Sequence, residues 1–416
     1  MKILVSAMAC NPVTGSEAHF GWAGVRALAR EHEVHVLTFD FNRPFISDAD
    51  RAELPGVTWH FLGRFRGHHP NLVIARLAAW QDTATFQDRQ ILPYARTLHA
   101  REKFDLAHHL TISSWRLPSP LWKLGIPLIW GPLGGGESIP RAFHPMLSPA
   151  TRRMEFLRQG HSFFSRYRSS LRTCANRAST VLASNPETAV LLRTLRKDGA
   201  VNIVSSAFFT PPDVARLQRH LHEKSWQGPL QLFAGGSLEG RKGLAVALNA
   251  LAKAKAQGLS FRFRICGEGP ELRHLQSLCA RLGITQNVSF ERPLSGAAYE
   301  EALHTSHIYL LPSLRENAGL TLMEAMLSGC VPIVAKLGGP GLIVPDSVGF
   351  PIDPQNPAQL ANDIRTILLR LDSDRHLCRS LADDASAHIA REYSEARYLS
   401  KVYADLIPLA HRQANS

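Results

Sequence analysis

The chain has 416 residues, a formal net charge of +12 and six cysteines, with 45% hydrophobic and 20% charged residues. This composition is typical of a globular protein rather than a disordered one, and the length predicts two domains because one core seldom supports so many residues. No apolar run reaches the about 18 residues of a membrane-spanning helix, and the cysteines are scattered without a CxxC pair, which argues against a disulfide framework.

Short apolar strands alternate with helices from the N-terminus onward. KILVSAMA and EVHVLTF flank a helix that follows CNPVTGSEAHFGW, and FDLAHHL, PLIWGPLGGG and STVLASNP continue the series. This alternation predicts a parallel sheet covered on both faces. The start MKILVSAMACNPV lacks the basic residues and long apolar core of a signal peptide, so we interpret it as a strand and expect a cytoplasmic protein.

The pattern breaks and then starts again. Residues 205–228 contain a Pro-Pro pair and a polar, basic stretch, which is typical of an interdomain connection. A second strand-and-helix series begins at LQLFAGG, and the last 60 or so residues have a helical pattern. We therefore predict an α/β protein of two doubly wound domains, with boundaries at 1–205, 206–228 (linker), 229–390 and 391–416 (C-terminal helix).

The stretch RENAGLTLMEAM places two carboxylates around the start of a predicted helix. Glu316 precedes the helix, and Glu324 lies about five residues inside it, roughly 7–8 Å further along the axis. A phosphate on the free N–H groups of the helix start would leave one carboxylate near each end of a sugar-diphosphate-nucleoside. The rival interpretation is a Glu that favours the helix dipole and a second Glu on a solvated face.

A basic motif follows the first strand of the second series. In GGSLEGRKG, Arg241 and Lys242 lie in a glycine-flanked loop that opens a helix. Two cations beside such a backbone would neutralise a diphosphate leaving group without a metal. A solvated basic turn is the commoner outcome for an Arg-Lys pair, but the position beside the first motif favours a binding role.

Weaker signals lie in other loops after strands. Gly15 is in PVTGSEAHFGW and Gly267 in ICGEGPEL, neither of which is the G-x-G-x-x-G fingerprint of dinucleotide binding. His108 and His109 end a strand, and no Cys or His partners stand at zinc-ligand spacing. Gly134, Gly135 and Gly136 follow another strand, which indicates backbone near a ligand or a loop that moves.

This set of motifs resembles the retaining glycosyltransferases of family 4. The pair Glu316 and Glu324, the R-K-G of residues 241–243, the G-E-G-P of residues 267–270 and GSE…GW of residues 15–22 occur in that family's order. The resemblance covers nearly the whole chain and is most specific over residues 230–350. It implies the GT-B architecture, in which two Rossmann-like domains face each other across a cleft and the last helices return to the N-terminal, acceptor-binding domain.

The resemblance also implies roles for individual residues. Arg241 and Lys242 would bind the donor diphosphate, Glu316 would contact the donor sugar, and Glu324 would bind the ribose. One of His108 and His109 would face the sugar, although the family's His-x-His is absent here. The further candidates are Asn317, Ala318 and Gly319 beside phosphate or sugar, Arg292 and Leu294 near the base, Gly15 and Gly267 in donor-side loops, and Gly134, Gly135 and Gly136 on the acceptor side.

The implied reaction is a metal-independent transfer without a cofactor. The donor would be a nucleoside-diphosphate-sugar and the acceptor a glycan or lipid-linked molecule, as in the biosynthesis of cell-surface polysaccharides. In many relatives an aromatic residue stands where this chain has Ala318, so the contacts to the sugar are expected to differ.

Residues 141–177 contain eight Arg, no Lys and one Glu. Phe156, Phe163, Phe164, Tyr167 and Leu171 recur there at helical spacing. One interpretation is a helix that lies on an anionic membrane, on the inner face of the cell membrane. The alternative is a surface helix whose aromatic stripe packs on its own domain.

Three other functions compete with the transferase. A nucleotide-sugar epimerase of GT-B type would use the same donor site without an acceptor. A nicotinamide-dependent oxidoreductase is disfavoured by the missing fingerprint. A nucleic-acid-binding protein would suit the basic charge, but the basic residues cluster in one segment while a small-molecule site lies elsewhere, so we expect no nucleic acid partner.

Overall fold

The computed structural model describes residues 1–63 and 86–403. These residues form two compact units. Unit 1 consists of the described residues in 1–136 and 161–208 together with the segment from Tyr398, and unit 2 consists of residues 137–160 and 209–397. Each unit holds one parallel sheet, so the predicted α/β architecture of two Rossmann-like domains is confirmed.

Seven strands of the described residues form the sheet of unit 1, in the order β3-β2-β1-β4-β5-β6-β7. All neighbouring pairs are parallel. The strands are β1 (Lys2–Ser6), β2 (Glu33–Phe39), β3 (Val57–Leu62), β4 (Leu106–His109), β5 (Leu128–Leu133), β6 (Thr180–Ala183) and β7 (Asn202–Ile203).

The helices of the described residues between β1 and β7 are numbered in chain order. They are α1 (Ser16–Leu28), α2 (Asp48–Ala52), α3 (Leu92–Glu102), α4 (Pro149–Ser165), α5 (Ser169–Arg177) and α6 (Pro186–Arg193). Helix α4 belongs to unit 2 as far as Gly160 and to unit 1 from His161. Helix α6 begins where Asn185 accepts a hydrogen bond from the Thr188 N–H and Pro186 occupies the first turn, which is a favoured helix start.

Unit 2 has a six-stranded parallel sheet among the described residues, in the order β10-β9-β8-β11-β12-β13. Its strands are β8 (Leu230–Gly235), β9 (Phe261–Cys266), β10 (Val288–Glu291), β11 (Ile308–Leu311), β12 (Val331–Ala335) and β13 (Phe350–Ile352). Its helices are α7 (Pro211–Gln218), α8 (Leu244–Lys255), α9 (Leu272–Arg281), α10 (Gly296–His304), α11 (Leu320–Leu327), α12 (Gly338–Ile343), α13 (Pro357–Ser373) and α14 (Arg375–Glu392). A last helix, α15 (Glu395–Tyr403), leads into unit 1.

Each sheet reverses its strand order at one point, between β1 and β4 in unit 1 and between β8 and β11 in unit 2. Ligands of open α/β sheets bind outside the carboxyl ends of the strands at such a switch point. In unit 2 the two loops at this point are the R-K-G loop after β8 and the R-E-N-A-G loop after β11. The topology therefore brings together the two strongest sequence motifs.

The compact units depart from the predicted boundaries: residues 209–228, expected as a linker, and 391–397, expected to return to the N-terminal domain, both belong to unit 2. Residues 137–160, expected in the N-terminal domain, belong to unit 2. The physical reason is that Ile139, Phe143 and Leu147 are buried in the hydrophobic core of unit 2. The predicted linker 206–228 also contains helix α7, which starts with a capping box between Thr210 and Asp213.

The C-terminal part is helical, as expected. Tyr398 stacks on Phe208 with ring centroids 4.4 Å apart, and Phe20 packs edge-on against both rings. These contacts lie within unit 1 and hold the described end of the chain there. All six cysteines are free and buried, as the scattered spacing predicted. In the part of the chain that the structure describes, no helix combines the length and apolarity needed to cross a bilayer.

Candidate functional site

The loop after β8 is shaped by a glycine that cannot be replaced without a clash. Residues Gly240–Lys242 form a 3₁₀ turn, and Gly243 follows with φ +67°. A Cβ atom on Gly243 would lie 2.1 Å from the carbonyl oxygen of Pro312, in the loop after β11. The close approach of these two loops accounts for the glycine in R-K-G and fixes where Arg241 and Lys242 stand.

Arg241 is held by four oxygen acceptors. Its guanidinium donates to Glu239 Oε2 at 2.5 Å, to the Arg315 carbonyl at 3.0 Å, to Ser237 Oγ at 3.3 Å and to Glu316 Oε2 at 3.4 Å. Its own carbonyl accepts from the Leu314 N–H at 2.8 Å. The side chain is therefore fixed in orientation while 22% of it remains exposed to solvent.

Lys242 Nζ donates to the same Glu316 oxygen in a short ion pair. The Lys242 side chain is 12% exposed and the Glu316 side chain is 17% exposed. Arg241, Lys242 and Glu316 thus form one cluster at the carboxyl edge of the sheet. The sequence predicted the three residues but not their mutual pairing, since 74 residues separate Lys242 from Glu316.

Helix α11 begins beside this cluster. Gly319, at φ +85°, precedes its first residue Leu320, and no side chain caps this end. The first N–H groups are available to an acceptor, and the positive end of the helix dipole points the same way. Asn317 and Ala318 are partly exposed in the preceding loop. The expected helix start near Ala318 or Gly319 is confirmed.

The loop before α11 rests on the turn after β12. The Gly339 N–H donates to the Glu316 carbonyl at 3.0 Å. A Cβ atom on Gly338, at φ +57°, would lie 2.0 Å from that carbonyl oxygen. Glu316 is therefore positioned through its backbone from one side and through its carboxylate from the other.

Glu324 lies one and a half turns into α11, as predicted. Tyr299 of helix α10 donates a hydrogen bond to Glu324 Oε2 at 2.9 Å. Burial raises the pKa of Glu324 to about 7, against the opposing effects of the Tyr299 hydrogen bond and of the charge on Arg216. The carboxylate thus keeps Oε1 for another donor, which suits a ribose hydroxyl.

Another part of the site lies at the ends of β9 and β10. A Cβ atom on Gly267, at φ +154°, would lie 1.8 Å from the Gly236 carbonyl oxygen, so glycine is required where these loops meet. Arg264 donates to both carboxylate oxygens of Glu291, at 2.8 and 2.9 Å. Arg292 is exposed and Leu294 is partly buried directly after this pair.

In unit 1, the two histidines at the end of β4 have different surroundings. His108 accepts a hydrogen bond from the Tyr403 hydroxyl at Nδ1, 2.5 Å away, and donates from Nε2 to the Gly131 carbonyl at 2.8 Å. Both ring nitrogens of His108 are therefore hydrogen-bonded within the protein. His109 points to the opposite side of the strand and is also buried. A substrate contact by His109 stays a prediction.

The sequence missed the residue that organises the loop after β4. Glu17, in the first turn of α1, accepts hydrogen bonds from the N–H groups of Ile112 and Ser113 at 2.9 and 2.8 Å. Ile112 has φ +69°, an uncommon conformation for a β-branched residue. The GSE motif could have indicated this role, because a carboxylate next to a glycine turn is free to cap a neighbouring loop.

The glycine loops of unit 1 differ in their packing. A Cβ atom on Gly15 meets nothing within 4 Å, so this position is open. Gly135 accepts from Trp115 Nε1 at 3.1 Å and from Arg116 Nη2 at 2.8 Å, and the Gly136 N–H donates to Thr188 Oγ1 at 3.0 Å. The segment of Gly134, Gly135 and Gly136 is thus tied to its neighbours by hydrogen bonds.

The aromatic stripe is exposed except at one position. Phe156, Phe163, Phe164 and Tyr167 are 75%, 51%, 71% and 66% exposed. Leu171 is buried in the core of unit 1, so the prediction that it belongs to this stripe is wrong. The helix ends at Ser165 and a new helix starts at Ser169, so the helical spacing is interrupted before Leu171. Leu171 therefore does not lie on the same face as the aromatic residues.

Two doubly wound parallel sheets, each with loops at its switch point, are the elements of the GT-B fold. Residues 222–382 match the family model described as glycosyl transferases group 1. This region contains Arg241, Lys242, Glu316 and Glu324.

Curated relatives resemble the chain over part of its length. The putative colanic acid biosynthesis glycosyltransferase WcaL of Escherichia coli K12 is 32% identical over 154 residues, which is 35% of this chain and 37% of WcaL. The 2-deoxystreptamine glucosyltransferase of Streptomyces kanamyceticus is 26% identical over 271 residues, 63% of this chain and 66% of that one. The matched stretches span about two fifths of the WcaL proteins of Escherichia coli and Salmonella typhimurium.

Solved structures match over nearly the whole chain. Anabaena HepE in complex with UDP superposes with a TM-score of 0.63 and 18% identity, covering 98% of this chain and 100% of HepE. Sucrose-phosphate synthase of Thermosynechococcus elongatus gives a TM-score of 0.64 at 18% identity, with full coverage of both chains. At such identities the likeness establishes the fold.

Proposed function

We propose that the protein is a retaining, metal-independent glycosyltransferase of family 4. It moves a sugar from a nucleoside-diphosphate-sugar to a glycan or lipid-linked acceptor in the biosynthesis of a cell-surface polysaccharide. The observation that carries the proposal is the cluster of Arg241, Lys242 and Glu316 beside the uncapped start of α11. The donor class is supported by the UDP and UDP-glucose complexes of Anabaena HepE, and the pathway by the colanic acid relatives.

The cluster has the charges that a diphosphate leaving group needs. Arg241 and Lys242 supply two fixed cations, and the free N–H groups at the start of α11 supply further donors. These groups stabilise the negative charge that develops as the donor bond breaks. Because Lys242 and Arg241 both donate to Glu316, donor binding would transfer these hydrogen bonds from a carboxylate to phosphate oxygens.

The reaction retains the configuration of the sugar. The bond between the anomeric carbon and the β-phosphate oxygen breaks, and the acceptor hydroxyl oxygen bonds to that carbon from the same face. The acceptor proton passes to the departing phosphate oxygen, so the products are a glycoside and a nucleoside diphosphate. In this scheme Glu316 hydrogen-bonds the donor sugar and Glu324 holds the ribose, while no metal or cofactor is required.

The donor site is tested by a thermal-shift panel of UDP, GDP, ADP, CMP and NAD. The wild type, Glu324→Ala and Lys242→Ala are compared. A nucleotide at 100 times its dissociation constant stabilises a protein by about 2.7 kcal/mol, which is easily detected. We expect one nucleoside diphosphate to stabilise the wild type and neither variant.

Lys253→Ala is the matched control, because Lys253 is an exposed lysine on α8 that donates a hydrogen bond to Asn362, outside the cluster of Arg241, Lys242 and Glu316. It should bind the nucleotide as the wild type does. A shift by NAD alone, or by no nucleotide, contradicts the proposal. Conversion of the nucleotide-sugar without an acceptor, to an epimer rather than to a nucleoside diphosphate, identifies the epimerase instead.

We further propose that the protein is cytoplasmic and binds the inner face of the membrane through its aromatic surface. This surface consists of Phe163, Phe164 and Tyr167 with the neighbouring Arg166 and Arg168, all exposed. Residues 161–177 contain no Asp or Glu, so the charge is complementary to anionic lipid. Aromatic side chains suit the interface between headgroups and acyl chains.

Sedimentation with vesicles tests this surface. The experiment is done at about 0.15 M salt, the physiological ionic strength. The wild type should bind vesicles that contain phosphatidylglycerol and should not bind vesicles of phosphatidylcholine alone. Substitution of Phe163, Phe164 and Tyr167 by serine should abolish binding without a change in nucleotide affinity. A wild type that stays in the supernatant with anionic vesicles disproves the membrane partner and leaves the donor site unaffected.

A further inference from the structure

A buried carboxylate in unit 2 lies far in sequence from both donor motifs. Glu155 is the single acidic residue among the eight Arg of residues 141–177, a segment whose charge pattern predicted an exposed surface. It is nevertheless only 3% exposed. A buried carboxylate is stable only with close partners, so its contacts indicate what it is for.

Glu155 is bound by groups from three parts of unit 2. Arg158 donates to it at 2.8 and 3.2 Å, and the Ile139 N–H at 3.4 Å. Arg315 Nη1 donates to Glu155 Oε2 at 2.9 Å across 160 residues of sequence. Burial alone would raise the pKa of Glu155, but the hydrogen bond from Arg158 and the charges of both arginines lower it. The group is therefore an anion at neutral pH.

Arg315 connects this carboxylate to the donor site. Its side chain reaches Glu155, while its carbonyl accepts from Arg241 Nη1 at 3.0 Å. Glu316 is the next residue along the chain and accepts from both Arg241 and Lys242. The position of the Arg315 side chain therefore affects the backbone of Arg315 and Glu316, to which Arg241 and Lys242 are bound.

The segment that carries Glu155 also packs against the other donor loop. A Cβ atom on Gly240, in the R-K-G turn, would lie 3.3 Å from Leu147 and 3.7 Å from Thr151. Leu147 is part of the hydrophobic core of unit 2. Residues 137–160 therefore support both loops of the cluster, one by van der Waals contact and one by an ion pair.

We propose that Glu155 is a positioning residue of the donor site, which acts through Arg315. Its carboxylate turns the Arg315 side chain away from Arg241 and Lys242 and holds the Arg315 carbonyl where Arg241 binds it. Without this anion, the Arg315 cation loses its ion-pair partner while Arg158 and Arg241 remain near it, and repulsion among the three displaces the loop. The inference rests on the proposed function, since it assigns a role in binding a nucleoside diphosphate.

Nucleoside-diphosphate affinity, measured by titration calorimetry, tests the proposal. The probe is the nucleotide that stabilises the wild type in the panel above. Glu155→Gln keeps the shape but removes the charge, and we expect it to raise the dissociation constant at least fivefold. Arg158→Gln is the control, because it removes another partner of the same carboxylate and leaves the Arg315 pair intact. Its affinity should stay within twofold, although the melting temperature of both variants falls.

A second background separates positioning from general damage. In Arg315→Met, Glu155→Gln should change the affinity by less than twofold, because the group through which it acts is gone. Glu155→Asp, which keeps the charge, should recover part of the loss. Equal losses in Glu155→Gln and Arg158→Gln, or an undiminished effect in the Arg315→Met background, overturn the proposal. Should Glu155→Gln not fold, Arg315→Met alone must still lower the affinity. If the wild type binds no nucleotide of the panel, the proposed function fails first and this inference with it.

Discussion

The hydroxyl of Tyr299 lies 2.9 Å from Oε2 of Glu324 and donates to it. This contact joins the start of one helix, α10, to the interior of another, α11, at the edge of the sheet where the donor loops lie. It occupies one oxygen of the carboxylate and orients the other. The pair also has a consequence for stability, since the carboxyl group is largely shielded from water.

Glu324 makes the stability of the protein depend on pH near neutrality. Burial raises its pKa from 4.5 to about 7, so the folded state binds a proton more tightly than the unfolded state does. The contribution of this group to folding is therefore complete below pH 4.5, declines as the pH rises from 4.5 and is lost once the pH has passed through 7. Glu324→Gln removes the ionisation and should be more stable than the wild type at pH 8 by about 1–2 kcal/mol.

The measurement is urea denaturation of both proteins at pH 5.5 and pH 8. The difference between Glu324→Gln and the wild type should grow with pH. A difference that is the same at both pH values would mean that the pKa of Glu324 is not raised. Glu301→Gln is the control, since Glu301 lies on the neighbouring helix α10 and is exposed.

The sequence was sufficient for the parts of this site that depend on local pattern. The apolar strand before R-E-N-A-G fixes the loop at a carboxyl edge, and Gly319 fixes the helix start, so Glu316 and Glu324 could be placed in advance. Arg241 and Lys242 followed from a glycine-flanked loop after a strand. The order of the strands then brings both loops to one switch point.

The sequence could not give contacts made across long separations. Nothing near Glu155 indicates that it meets Arg315, because a lone Glu in an Arg-rich helix has the pattern of a solvated face. The burial of Ile139, Phe143 and Leu147 in unit 2 could not be predicted for the same reason. These residues precede in sequence all the strands of the core in which they are buried. Tyr299 was overlooked because its helix has no motif of its own.

Lys242 should matter more for the reaction than for the fold. Lys242→Ala removes a cation from the leaving diphosphate, and loss of one such group typically lowers kcat by about 10²–10³. It also leaves Glu316 with only the longer contact to Arg241, at 3.4 Å. We expect kcat of nucleotide-sugar turnover to fall at least 100-fold, with a small change in melting temperature.

Steady-state kinetics with the donor found in the nucleotide panel, together with thermal unfolding, check this prediction. Lys253→Ala serves again as the control and should keep its kcat. A Lys242→Ala enzyme with more than a tenth of the wild-type kcat argues that Lys242 does not meet the diphosphate.

A buried histidine in unit 2 should make the protein sensitive to acid. His307 accepts from the Gln231 N–H at 3.1 Å, donates to the Ser225 carbonyl at 2.6 Å and stacks on Trp226. Burial lowers its pKa to about 4. Between pH 6.5 and pH 4 the unfolded state binds more protons at this residue, so stability falls as the pH falls. The loss at pH 5 is about 2 kcal/mol for this one group.

His307→Gln should therefore lose less stability than the wild type on going from pH 7 to pH 5. Its stability at pH 7 will be lower, because the stacking on Trp226 is lost, so the comparison is between the changes and not the values. Urea denaturation at both pH values gives the answer. Equal changes in the two proteins would show that His307 stays protonated or is reached by solvent.

Gly243 is expected to tolerate no side chain. Its φ of +67° is unfavourable for other residues, and a Cβ atom would lie 2.1 Å from the Pro312 carbonyl oxygen. Gly258 has φ +96° but open space around the same position. Gly258→Ala should thus cost only the backbone strain, about 1 kcal/mol, whereas Gly243→Ala also forces apart the loops after β8 and β11. We expect Gly243→Ala to cost about 3 kcal/mol and to weaken nucleotide binding. Urea denaturation and calorimetry on both variants test this, and equal stability losses would mean that the two loops yield to the added methyl group without resistance.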